Sequence, residues 1–472
     1  MRVVVAGAGI TGLAAAFTLQ REAARLRREL DLVVLDVAPQ AGGHARTLSE
    51  AGFLVEQGPN GFLAERGNHA EGAGRGEETL ALVEELGLCD RLVEANPSTR
   101  RLLILTSGKL REVPASPAAL VTSDAIGWRG KLRMLGEPWA PGPPVGTDET
   151  VFDFAERRLG REAAERFVDT AVAGISGGDS RLLSVRSQFP LLKELEDRHG
   201  SLVKGVWARR GQTRGRLTSF DGGIGTLTGA LASRLTGAGA LRLNCRIDRV
   251  EKTASSWRVH PSGGASIEAD HFICALPSHA AARIVAGFDG ALSESLASIP
   301  YAGMAVVALA YRADDLENSL HGYGYLVTRA ENLATLGVLW ETSIFSNRAP
   351  AGHVLLRAIL GGARRPDVSA LAESSCAELA VREAAGVLGI SGSPLRQWVW
   401  RWPSAIAQYT VGHQARTAEI ARLAAAHRGL HICGTAYDGV ACNDGIAAGR
   451  RVARAVAGEL APPIRRQDVA HA

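Results

Sequence analysis

At 472 residues the chain is too long for one simple core, so two or three subdomains are expected. Hydrophobic residues make up 46% and mean hydropathy is +0.02, as in a soluble globular protein. A net charge of +4, with acids and bases mixed along the chain, lacks the basic footprint of a nucleic-acid binder. No stretch has the roughly 18 uninterrupted apolar residues of a membrane span. Met1 and Arg2 run straight into an apolar strand, so no secretory leader is expected. The six cysteines show no Cys-x-x-Cys spacing, which predicts a reducing, cytoplasmic setting with no disulfide framework and no metal site.

Residues 3–13 read as a buried strand, a glycine turn and a helix start. Gly7 allows the tight turn, Gly9 lets backbone approach a pyrophosphate, and Gly12 lets the helix lie close to the strand. The amides at Ile10 and Thr11 open the helix, whose dipole points at the phosphates. A second apolar strand, 32–35, delivers Asp36, whose carboxylate can accept from a ribose. This combination predicts a dinucleotide site. The pair Gly42 and Gly43 again removes side chains where a ligand can pass, and Arg46 can neutralise a phosphate. A hairpin turn at 49–52 precedes the strand 53–56, and Gly58, Pro59 and Asn60 form a rigid turn.

From the glycine triplet through the Gly-Gly-x-x-x-Thr run to Gly-Phe-Leu-Val-Glu-Gln-Gly-Pro-Asn, the chain resembles the protoporphyrinogen oxidase family. That family lies within the FAD-dependent amine oxidases and desaturases. The resemblance implies that the dinucleotide is FAD, with Asp36 on the adenosine ribose and the glycine pair at the pyrophosphate. It places the turn from Gly58 to Asn60 beside the isoalloxazine ring.

Residues 66–76 read as an exposed loop, and 77–88 as an amphipathic helix. The segment 101–114 reads as a hairpin turning at Ser107 and Gly108. Relatives present an arginine for a substrate propionate here. Counting back from Pro114, that place falls on Leu102, with Arg101 one step away, and a one-residue slip reverses a strand's face. Either a bulge returns Arg101 to the pocket or the substrate's acid groups are held differently. In 115–146, Trp128 and Trp139 with Lys131 and Arg133 suit either a membrane surface or a subdomain wall with a solvated basic face, and both readings stay open.

Two helices broken at Gly160 are expected over 150–168. The block 173–202, with Gly-Ile-x-x-Gly-Asp, Leu-Ser, Phe-Pro and a Gly-Ser helix start, resembles the family's most distinctive region. There Gly174 and Ile175 would lie near the porphyrin. Asp221 can cap a helix after the glycine turn 222–225. A single strand is expected over 241–250, and the resemblance puts Val250 at adenine. Strands at 305–311, 324–327, 338–342 and 354–360 predict an antiparallel sheet, read either as the floor of a substrate pocket, with Leu326 and Leu339 as lining candidates, or as a plain core sheet. A helix near 370–388 follows. A strand over 430–434 ends at Gly434, and a last helix runs to Leu460. By resemblance Gly434, Gly439, Val440, Ala441 and Ile446 surround the flavin, the helix N-terminus aiming at its pyrimidine end. Gly445 stands where most relatives have cysteine, and Cys442 lacks the spacing for covalent attachment. The tail after Pro462 is polar and reads as disordered.

The expected fold is α/β: a doubly wound FAD domain (1–76, 215–290, 410–460), a mixed-sheet substrate domain (77–88, 291–409) and an inserted helical subdomain (89–214). The resemblance implies oxidation of protoporphyrinogen to protoporphyrin in heme biosynthesis. Hydride passes to FAD, molecular oxygen accepts the electrons, peroxide is released, and no acid or base residue is required. Coproporphyrinogen oxidation, an amine or secondary-metabolite oxidase, and a flavin-binding partner without turnover are the alternatives. A homodimer and a peripheral contact with the cytoplasmic membrane stay open.

Overall fold

The computed structural model describes residues 1–64, 76–143, 146–209, 215–317 and 320–460. All but the last residue of the expected 66–76 loop, and the tail after Pro462, lie outside them.

The first strand, Arg2–Ala6, pairs in parallel with Asp31–Leu35 on one side and His271–Cys274 on the other. Leu241–Arg242 and Leu430–Ile432 complete a five-stranded parallel sheet drawn from distant parts of the chain. Parallel strands are covered on both faces, so their sequences are continuously apolar rather than alternating. Val3 and Val5 enter one core with the helices Ile10–Arg25, Gly225–Gly237 and Cys442–Gly458. Val4 and Ala6 enter a second core, with the small antiparallel sheet of Ile247–Lys252, Trp257–Pro261 and Ile267–Ala269. The single strand expected over 241–250 is therefore two strands in different sheets. The break falls at Asn244, whose φ of 52° no strand accommodates.

A seven-stranded mixed sheet forms the second layer. Its order is Arg396–Ala407, Tyr301–Arg312, His353–Gly361, Thr335–Trp340, Gly324–Val327, Leu102–Thr106, Lys109–Glu112. Only the pairing of Leu102–Thr106 with Gly324–Val327 is parallel. One face is sealed by the helix Glu373–Leu388.

Two placements differ from expectation. The hairpin 102–112, expected in the helical insert, is the edge of this sheet, because its apolar residues Leu103 and Leu105 share the sealed core. The helix Glu77–Leu86, expected with the substrate domain, packs on the parallel-sheet core through Leu82, Val83 and Leu86. Buried Arg450 of the last helix pairs with its Glu78 and Glu85 at 2.6 and 2.8 Å.

The inserted helices close on a small core of Val151, Phe154, Val172, Leu183 and Val185. The chain breaks at Gly160 but then continues through a π-turn, Ala164–Val168, into the helix Asp169–Ser176. Within the insert, Trp128, Leu132, Leu135 and Trp139 are 67%, 58%, 56% and 83% exposed. No helix among the described residues is long and apolar enough to cross a membrane.

Candidate active site

Two glycine turns lie side by side at the carboxyl ends of the parallel strands. Gly7 has φ +100°, and a side chain there would press on Ala275. A Cβ at Gly12 would come within 1.9 Å of the Gly7 carbonyl oxygen, so the helix approaches as closely as it does only because residue 12 has none. Gly42 donates to the Ala8 carbonyl at 2.8 Å, and the space in front of Gly9 is open. The helix Ile10–Arg25 starts at Gly9 with no side-chain cap among the described residues, so its first amides, at Ile10, Thr11 and Gly12, are left for a ligand. The Asp36 carboxylate accepts from the amides of Ala8 (2.6 Å) and Ala38 (2.7 Å), which fixes it against the first turn. Lone pairs remain on both oxygens.

Arg46 follows the glycine pair. Its Nε is buried without a partner among the described residues, and its guanidinium lies 5.6 Å from the Trp402 ring. His44 packs edge-on against the same ring at 4.4 Å. Burial, reinforced by Arg46, pushes its pKa down to about 4, so the imidazole is neutral at pH 7.

The turn at Gly58, Pro59 and Asn60 is gripped from both sides. A Cβ on Gly58 would strike the His44 carbonyl oxygen at 2.4 Å, and the Gln57 amide donates to the Arg46 carbonyl at 2.9 Å. From the seven-stranded sheet, Trp402 Nε1 donates to the Gln57 carbonyl at 2.9 Å and Arg357 donates to that of Gly58. Asn60 is 7% exposed. Next to this turn, fully buried Glu56 accepts from Thr47 Oγ1 (2.6 Å), the Ile224 amide (3.1 Å) and Arg348 (3.1 Å), joining three chain segments. Burial pushes its carboxyl up to about 7, against the pull of Arg348.

At the other end, Gly434 (φ +140°) has open space before it. The Gly439 amide donates to Tyr409 Oη at 2.8 Å, which in turn donates to the Thr435 carbonyl. Ala441 precedes the last helix, with its amide on Asp444. Val440 is half-buried. Ile446 and Val250 are enclosed in the two cores, so their side chains are closed to a ligand.

The unsealed face of the large sheet turns toward this site. Registered partners share a face, so Leu102 opposite Gly324, Leu326 opposite Gly337, and Leu339 opposite Arg357 lie on one side with Ile359. The four apolar side chains are half-buried. Gly174 packs on this face: a Cβ there would sit 2.5 Å from a Leu326 methyl. Its neighbour Ile175 is 56% exposed. Arg101 is not brought to this face. It precedes the strand, is about half exposed, and pairs with Glu112 at 2.9 Å. The strand register gives the pocket position to Leu102, with no bulge to return Arg101.

The whole chain bears comparison with known proteins. The model of the flavin-containing amine oxidoreductases matches residues 10–457. The chain belongs to that family. This flavoprotein is 31% identical over 492 residues to the protoporphyrinogen oxidase of Homo sapiens, covering 97% of this chain and 98% of the relative. It is 27% identical over 464 residues to the coproporphyrinogen III oxidase of Bacillus subtilis (strain 168), covering 95% and 96%. Among solved structures, one provisionally named a protoporphyrinogen oxidase, from Exiguobacterium sp. 255-15, superposes with a TM-score of 0.83 at 23% identity, covering 97% of this chain and 99% of that one.

The cofactor is FAD, and the residues fit it: two adjoining glycine turns, an uncapped helix, a fixed acid and a partly unpartnered arginine. When bound it would rest on Gly7, Gly9, Gly12, Gly42 and Gly43, with Asp36 and Arg46 at its polar groups. Sequence reasoning missed Glu56 and Arg357, which hold the turn and its flanking strand in place. A lone arginine in the apolar strand His353–Gly361 was the available signal for Arg357.

Proposed function

We propose that this oxidoreductase converts a porphyrinogen to its porphyrin, with protoporphyrinogen IX as substrate and heme biosynthesis as the setting. The observation that carries the reading is the half-buried apolar set of Leu102, Leu326, Leu339 and Ile359 on the sheet face that Arg357 ties to the Gly58–Asn60 turn. A flat macrocycle can lie on it, with Asn60, Gly174 and Ile175 at its borders, and exclude water from the reacting carbon. Bound FAD supplies the hydride acceptor, and oxygen takes the electrons to give peroxide. The protein's task is orientation.

Leu102 in the pocket favours a second reading on one point. With Arg101 held at the surface, substrate carboxylates must find other partners, so the number of carboxylates tolerated is open to coproporphyrinogen III. Anaerobic mixing of the yellow protein with each porphyrinogen, followed by air, separates the readings. Bleaching by protoporphyrinogen, reversed by air with porphyrin fluorescence, is the expected result. Bleaching by coproporphyrinogen alone moves the substrate, and bleaching by neither removes the proposal.

The same reading includes a peripheral membrane contact through the exposed Trp128, Leu132, Leu135 and Trp139. Co-sedimentation with anionic vesicles, lost in Trp128→Ser/Trp139→Ser, tests it; unbound wild type overturns it.

A further inference from the structure

Arg357 sits in the middle of an apolar strand and is 2% exposed. Its Nε donates to Glu341 Oε1 at 2.6 Å, and one terminal nitrogen donates to the Gly58 carbonyl. Glu341 is 1% exposed and stands just past the strand Thr335–Trp340. Its second oxygen, Oε2, is buried without a partner among the described residues. Tyr323 and Asn60 are the polar neighbours. Burial, then the Glu341 charge, push the Tyr323 phenol up, while Arg357 and Asn60 pull it down.

A buried ion pair of this kind adds little net stability, because desolvation offsets the attraction, and an apolar pair of equal volume often does as well. An incompletely satisfied carboxylate makes it worse. Stability therefore does not account for the pair. Its geometry does. Glu341 fixes the plane of the Arg357 fork, and the fork reaches out of the sheet to one carbonyl of the turn. The next carbonyl back, of Gln57, is held by Trp402 from the same sheet. The pocket floor and the turn are thus joined by two directed bonds.

We propose that Arg357 and Glu341 are positioning residues that set the height of the Gly58–Asn60 turn above the apolar floor, and with it the distance between flavin and substrate. The inference rests on the reading of this turn as the flavin's neighbour. Lysine is a poor replacement for Arg357, because a single ammonium nitrogen does not reproduce the two spaced, coplanar donors that serve Glu341 and Gly58.

The test compares Arg357→Lys, Glu341→Gln and the apolar pair Arg357→Met/Glu341→Leu as FAD-loaded proteins. Three readouts are followed: thermal unfolding, visible circular dichroism of the flavin, and the anaerobic bleaching rate with porphyrinogen. The apolar pair is expected to unfold at or above the wild-type temperature. It should nevertheless show altered flavin dichroism and a maximal bleaching rate lower by about 10²-fold, the cost of roughly 1 Å of misplacement. Half-saturation should shift by less than about threefold, since ground-state contacts remain. Glu341→Gln, which keeps an acceptor for Nε, should recover part of the rate. Wild-type dichroism and rate in the apolar pair overturn the proposal, because the pair would then be packing only. Should Arg357→Lys fail to fold, the apolar pair decides alone. Should no porphyrinogen bleach the wild type, the substrate reading fails, and the dichroism of the variants still decides this one.

Discussion

The two faces of the seven-stranded sheet are built from the same strands and have opposite fates. On one, Leu103, Leu105, Tyr325, Val338, Leu356, Ala358 and Leu360 are sealed under the helix Glu373–Leu388. On the other, Leu102, Leu326, Leu339 and Ile359 are half-buried, and Arg357 breaks the apolar run. At these positions, residues one place apart in sequence differ between full and half burial, although Ile104 and Leu355 on the second face are fully buried as well. Apolar character alone does not distinguish them; what lies above each face does. The sealed face carries stability, and on the proposed reading the half-buried face receives the substrate.

The largest effect should come from the sealed face. Leu356→Ala removes a fully buried side chain from a rigid core and is expected to cost about 2–5 kcal/mol, read by chemical denaturation, with the flavin site intact in the folded fraction. A cost under about 1 kcal/mol would mean that this face relaxes, and the contrast would fail.

Sealed burial also has a pH signature. His413 is 2% exposed, stacks on Tyr409 at 3.9 Å, and has both ring nitrogens without partners among the described residues. Burial, then Arg416, push its pKa down to about 4, with Asp148 opposing. The folded state therefore binds fewer protons than the unfolded chain between about pH 4 and pH 6.5. Stability from this group is present above about pH 6.5 and is lost as pH falls through the folded pKa, up to about 3 kcal/mol in all. His44 and His431 are pushed the same way. His413→Phe keeps the ring stack, and its unfolding temperature should fall less between pH 7 and pH 4 than that of the wild type. Equal falls would show that His413 is not held neutral.

Much of this was legible from the chain. The parallel sheet announces itself because strands buried on both faces are continuously apolar, and the glycines at 7, 9 and 12 gain their meaning from the second strand and Asp36 that follow. Leu326 and Leu339 were candidates because apolar residues over 326–339 suit a flat ring, a pattern a plain core sheet shares, and the strand register puts them on one face. What stayed hidden depends on contacts between distant segments. Glu341 and Arg357 meet through strand register, Glu56 and Arg348 lie 292 positions apart, and Glu78 meets Arg450 across 372. No local pattern encodes such pairs. The fate of Arg101 was a register question too: sequence placed it one step from the pocket, and pairing of Leu102 with Gly324 decided the face.

The smallest expected effects on stability, and the most informative, lie on the open face. Leu339→Ala should change stability by less than about 1 kcal/mol, because its side chain is only half-buried. Losing one leucine's contact with a flat substrate is worth about 1.4 kcal/mol, so half-saturation should rise about tenfold. Gly174→Ala acts in the opposite sense on the same face: its new methyl would meet Leu326 at 2.5 Å and drive that side chain over the floor. The double variant Gly174→Ala/Leu326→Ala then separates a ligand surface from a loosely packed core. If the face is a pocket, removing Leu326 relieves the crowding, and the double variant binds substrate better than Gly174→Ala alone, a coupling that steady-state kinetics reads directly. If it is core, the same relief appears in unfolding stability alone, and substrate affinity does not move with either change.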